Sequence, residues 1–330
     1  MVGGAKSLRA ELRGAGLSKA AVDAAWPEWW SDKAEASLSA RTELRLTVAT
    51  RLGLSPKSLI GEKVEFVWRD RARFKNLRKG DQFSSAALSS FGTSIGRSLI
   101  AATPEGAGLQ GVAAAGLREM LLSNGAPDLM SLLTACWATG TPAVQLKISP
   151  IPRKAMHALV VGYKDRHAVL LSREASYPAQ AAFTLAHEIG HIALGHVPSE
   201  DVLVDAEDPG SRVAPDEQEV AADRFALELL LGDPDPDIRI NFSSFNHQEL
   251  ADAVLRAAPS YGIDPGTLAL AVAFKRNVWP TAMAALRLIY HAPVNVSLFV
   301  NRVALTQLAL GELSADSSDF LLRVLGQSDE

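Results

Sequence analysis

The sequence predicts an α+β fold that is predominantly helical, with a small sheet near its centre and helical regions on both flanks. Three observations carry this. Helical apolar spacing recurs towards both ends of the chain, as in "SLRAELRGAGLSKAAVDAAW" and "HQELADAVLRAAPSYGIDPGTLALAVAF". Near the middle, three short runs rich in valine, leucine and isoleucine follow one another. Soon after them comes "FTLAHEIGHIALGH", Phe183 to His196, a helix-like stretch carrying three histidines and a glutamate.

Composition bounds the rest. With 330 residues, 48% hydrophobic and 21% charged, the chain can hold two or three domains and bury a sizeable core. The opening "MVGGAKSLRAELRGAG" is charged early and has no apolar core, so no signal peptide is expected. No apolar run approaches the length of a membrane span. Cys136 is the single cysteine, which excludes an intramolecular disulfide and a thiolate metal cluster. A cytoplasmic protein is the plain expectation. The net charge of −4 is unevenly spread: residues 1–80 hold 16 lysines and arginines against 9 acids, and Glu200 to Asp237 hold 13 acids against Arg212 and Arg224. The acidic stretch reads as a solvated loop. Nucleic acid could meet the basic N-terminal region, but scattered surface charge explains the excess equally well.

Residues 1–80 read as an N-terminal helical region, closing with "SARTELRLTVATRLGLSPKSLIGE" and turn signals at Gly53 and Ser55-Pro56. Residues 81–142 read as a helical linker region: "FSSAALSSFGTSIGRSLIAAT", "LQGVAAAGLREMLLSNG" and a third helix from about Asp128 to Ala138. Residues 143–232 form the candidate core. Its strands "AVQLKI", "HALVVGY" and "HAVLLS", broken at "SPIPRK" and "KDR", suggest a small antiparallel sheet. A helix over "SYPAQAAFTLAHEIGHIALGH" follows, with Ser176 as candidate cap and Pro178 in its first turn. An irregular acidic loop then runs to Pro215, and "DEQEVAADRFALELLLG" is the next helix. Residues 233–330 read as a C-terminal helical domain.

His187-Glu188-Ile189-Gly190-His191 is H-E-x-x-H on a predicted helix. At 3.6 residues per turn, His187 and His191 share a face and can take neighbouring positions on one Zn²⁺. Glu188 lies roughly a quarter-turn round, beside the metal rather than on it, where a general base belongs. A catalytic zinc needs a third protein ligand. On a continuous helix His196 falls about half a turn out of phase with His187, and Leu194 and Val197 break the longer H-E-x-x-H-x-x-G-x-x-H pattern. The better candidate is "EVAAD": Glu219 as third ligand, with Asp223 on the same face to accept the spare N–H of a ligating histidine.

"FTLAHEIGHIALGH" followed by "EVAADRFALELLLGDP" resembles the ImmA/IrrE family of zinc metallopeptidases. The matching positions are Phe183, Thr184, Ala186, His187, Glu188, Gly190 and His191, then Glu219, Ala222, Asp223, Phe225, Ala226, Leu229 and Leu230. The "LLGDP" that closes the second stretch departs from the family, which often has Met-Pro there. The resemblance implies a minimal zincin-like core, with His187, His191 and Glu219 as metal ligands and Glu188 as catalytic base. It also implies a protein substrate, a helix-turn-helix transcriptional repressor, in mobile-element, phage or stress responses. A helical interaction module is expected at the N-terminus in preference to a DNA-binding one.

Other features read as structural. "GAGLQG", Gly106 to Gly111, fits G-x-G-x-x-G but follows a helix-like segment rather than a strand. The tryptophans of "AWPEWW" suit core anchoring, Cys136 a buried hydrophobe, and "RDRARFKNLRK" a solvated charge run. His157, His167, His247 and His291 lack partner spacing and read as surface or packing residues. The function expected is therefore a zinc-dependent endopeptidase. The alternative is a non-proteolytic zinc-containing regulator that binds a protein or DNA.

Overall fold

The computed structural model describes residues 4–55, 66, 72–75, 82–151, 156–199, 202–205, 216–239, 244–292 and 294–327. The described helices are α1 (Ala5–Gly14), α2 (Lys19–Ala24), α3 (Leu38–Leu52), α4 (Gln82–Ala101), α5 (Ala114–Leu122), α6 (Leu129–Ala138), α7 (Pro178–Ala193), α8 (Glu217–Leu231), α9 (His247–Tyr261), α10 (Pro265–Arg276), α11 (Trp279–Ile289), α12 (Val296–Gln307) and α13 (Ala315–Val324). The strands are β1 (Ala72–Lys75), β2 (Ala143–Gln145), β3 (Ala158–Tyr163), β4 (Arg166–Leu171) and β5 (Val202–Asp205). The fold is α+β and mostly helical, as expected. None of the described helices is long and apolar enough to cross a membrane.

The sheet runs β1-β5-β3-β4-β2. Its centre is antiparallel, β3 pairing with β4 and with β5, whereas both edge pairs, β1–β5 and β2–β4, are parallel. The sheet is thus mixed, where an antiparallel one was expected. β3 and β4 meet through a two-residue turn in which Lys164 and Asp165 both have positive φ, 50° and 58°. That is the turn geometry that matches strand twist in a tight hairpin.

The near-continuous apolar sequence of β3 reflects cover on both faces. Leu159 and Val161 meet α4 at Gly92 and Gly96, and Val160 on the opposite pleat is also buried. α4 presents Leu88, Phe91, Ile95 and Leu99 to this interior, a helical three- and four-residue spacing. α7 also packs against β3 and β4. The buried apolar residues fall into two groups: a large one running from Leu8 to Leu325, and a smaller one joining Tyr177 to α9, α10 and α11.

Three further expectations need correction. The N-terminal 80 residues are not wholly helical, because β1 lies there and joins the sheet beside β5. β5 itself lies inside the stretch read as an irregular acidic loop. Four-residue strands carry little pattern of their own, and pairing with neighbours decides them. Finally, α7 is capped by Tyr177 rather than Ser176, with Pro178 in its first turn and Gln180 Oε1 accepting from the backbone N–H of both Ser176 and Tyr177 at 3.1 and 3.2 Å. The segment 56–62, read as the end of a helix, and most of the basic run 69–79 lie outside the described residues.

Candidate metal centre

α7 is buried along its last turns, with Leu185, Ala186, Ile189 and Ile192 in the core. α8 lies against it, and Gly190 sets how closely. A β-carbon at Gly190 would stand 3.1 Å from the Ala222 carbonyl oxygen and 3.2 Å from Ala222 Cα, so a larger residue would push the two helices apart by a few tenths of an ångström. α8 starts from Asp216, whose side chain accepts from Gln218 N–H at 2.9 Å, and stops at Gly232 with φ of 85°. Between those caps, the close packing carries Glu219 to the two histidines.

His187, His191 and Glu219 are all buried and each offers a donor atom within 4.8 Å of the others. His187 Nε2 lies 3.0 Å from His191 Nε2 and 3.4 Å from Glu219 Oε2, and His191 Nε2 lies 3.3 Å from Glu219 Oε1. Two donors bonded to one zinc at usual lengths stand about 3.3 Å apart at a tetrahedral angle. The two histidine nitrogens and the Glu219 carboxylate, with one oxygen towards each ring, are therefore spaced to share one cation, and the donor set suits a borderline divalent cation. Asp223, one turn beyond Glu219, places Oδ1 2.8 Å from His187 Nδ1. It fixes that ring with Nε2 turned inward.

The electrostatics agree. Burial disfavours a charge on His187, but hydrogen bonds to Asp223 and Glu219 and the charges of Glu188 and Asp223 outweigh it and raise its pKa to about 10. Burial would raise Glu219, yet hydrogen bonds and charge from His187 and His191 hold its carboxyl far below the usual range. The cluster is built around positive charge. Glu188 is fully buried on the same turn. Residues 144–268 match the family model for the IrrE N-terminal-like domain of peptidase family M78. This segment is an IrrE N-terminal-like metallopeptidase domain. It reaches past α8 and through α9 into the start of α10. No curated protein and no solved structure matches the chain.

Within that domain the structure brings together the sequence-predicted residues His187, Glu188, His191, Glu219 and Asp223. His196 is not part of the three-residue donor group; its ring lies behind His191, Nδ1 to Nδ1 at 2.9 Å. The sequence pattern gave no sign of this contact, because it depends on how the chain leaves α7. The "HAVLLS" strand is not a free sheet edge, because β2 covers its second half. The outer side of β2 is closed in turn, since Asn301 accepts from Gln145 N–H and donates to the Gln145 carbonyl, both at 2.9 Å. His167 is buried with Nε2 3.0 Å from the Val197 carbonyl, and burial pushes the Cys136 thiol up to about 12. Both are structural. Trp26 is buried under Arg9, whereas Trp29 is partly exposed.

Proposed function

We propose that the chain is a zinc-dependent endopeptidase acting on a specific regulatory protein. The observation that carries this is a buried His-His-Glu group whose facing nitrogens and carboxylate oxygens stand 3.0 to 3.4 Å apart, with Glu188 next to His187 in sequence. Zinc held by His187, His191 and Glu219 would supply Lewis acidity, lowering the pKa of a water and polarising the scissile carbonyl. Glu188 would take the proton of the attacking water and return it to the leaving amine. Asp223 holds His187 in the tautomer that leaves Nε2 free to ligate. The resemblance to the ImmA/IrrE family supports a helix-turn-helix transcriptional repressor as substrate, in mobile-element, phage or stress control.

Glu188→Gln tests this. The variant should keep zinc and fold, trap its substrate in a pull-down from host lysate, and cleave the trapped protein at least about 100-fold more slowly than wild type. A Glu188→Gln protein that still silences or activates its target fully would refute proteolysis. It would favour the binding-protein alternative.

A further inference from the structure

We propose that His196 is a positioning residue for His191: its neutral imidazole accepts the Nδ1–H of His191 and so turns His191 Nε2 towards His187 and Glu219. This rests on the metal-site reading above. On a continuous helix His196 would point away from His191. Gly195 changes that. It adopts φ of 71°, a left-handed conformation that other residues rarely take. The chain then closes on itself with two backbone hydrogen bonds, His196 N–H to the His191 carbonyl at 2.9 Å and Gly195 N–H to the Ile192 carbonyl at 3.0 Å. These are the paired bonds of a Schellman ending, and they set His196 over His191. The side chains complete the loop, Nδ1 to Nδ1 at 2.9 Å.

Two ring nitrogens at that distance share one proton, and the rest of the site decides where it sits. His191 Nε2 lies 3.0 Å from His187 Nε2 and 3.3 Å from Glu219 Oε1, so ligation needs its lone pair there. The His191 proton then belongs on Nδ1, His196 Nδ1 is the acceptor, and the His196 proton is on Nε2. The two ligands are thus supported differently. A carboxylate, Asp223, orients His187. A second imidazole, His196, orients His191.

Full-length His196→Ala and His196→Asn proteins separate this role from a packing role. Asparagine places an oxygen acceptor where Nδ1 stands; alanine removes it. In competition with a chromophoric chelator, His196→Ala should bind zinc about 10- to 100-fold more weakly than wild type, and His196→Asn within about threefold of it. The visible spectrum of cobalt-loaded His196→Ala should shift, while that of His196→Asn should not. If His196→Ala does not fold, His196→Gln takes its place, since its oxygen reaches the Nε2 position instead. Equal zinc affinity in wild type and the alanine or glutamine variant, or an asparagine variant as weak as alanine, would overturn the inference alone. A wild-type chain that binds no zinc would overturn the proposed function and this inference with it.

Discussion

Burial and nearby carboxylates pull His187 in opposite directions, and the carboxylates win. With its pKa raised to about 10, the ring carries a proton at neutral pH unless another cation replaces it. The sign of the pH dependence follows. Below about 10 the proton competes with the metal, so affinity should climb with pH up to that value and fall on acidification. At pH 7.5, zinc binding should release about one proton from this ring, measurable by calorimetry in buffers of different ionisation enthalpy. A binding heat identical in all buffers would show that no proton is displaced from His187. At this scale most of the centre was legible in the sequence. His187 and His191, like Glu219 and Asp223, are spaced by four, an interval that stacks side chains on a helix face. His196 was not legible as a partner of His191, because its direction depends on the φ of Gly195, and a glycine permits that angle without announcing it.

Among the elements, the α7–α8 contact matters most, because Glu219 reaches the histidines only if the helices touch backbone to backbone. Gly190→Ala inserts a methyl group 3.1 to 3.2 Å from Ala222 backbone atoms and Phe225 Cβ, none of which is the far end of a flexible chain. The helices must separate by a few tenths of an ångström. We expect a stability loss of about 1 to 3 kcal/mol in urea unfolding, together with weaker zinc binding. Unchanged affinity would mean that Glu219 tolerates the shift. The helices over 178–193 and 217–231 were readable from their apolar period, whereas the cap of the first fell one residue later than expected. β1 and β5 were not. "ARFK" sits in a run of basic residues and "VLVD" in a run of acidic ones, and each becomes a strand through its parallel pairing with the other.

Across the whole molecule, elements far apart in sequence are joined by arginines that serve helix ends and loops. Arg118 on α5 donates to the carbonyls of Leu229 and Leu230 at the end of α8, at 3.0 and 2.8 Å. It also donates to those of Tyr261 and Gly262 at the end of α9, at 3.1 and 2.8 Å. One cation thus satisfies the negative ends of two helices inside the metallopeptidase domain, from a residue outside it. Arg166, inside that domain, donates to the carbonyls of Ile100, Thr103, Pro104 and Gly140, outside it. Such long-range clasps carry no sequence pattern, since any arginine reads as surface charge until the fold is known. Arg118→Met should lower unfolding stability by about 3 kcal/mol, and a change under about 0.5 kcal/mol would show that water replaces the guanidinium at no cost.

The proposed zinc site depends on Glu219 as its third ligand, thirty-two residues after His187. The most direct measurement is zinc stoichiometry and affinity by equilibrium dialysis of wild type, Glu188→Gln and Glu219→Ala proteins. We expect about one zinc per chain in the first two, and an affinity lowered more than about 100-fold in the third. A Glu219→Ala protein that holds zinc as tightly as wild type would contradict it.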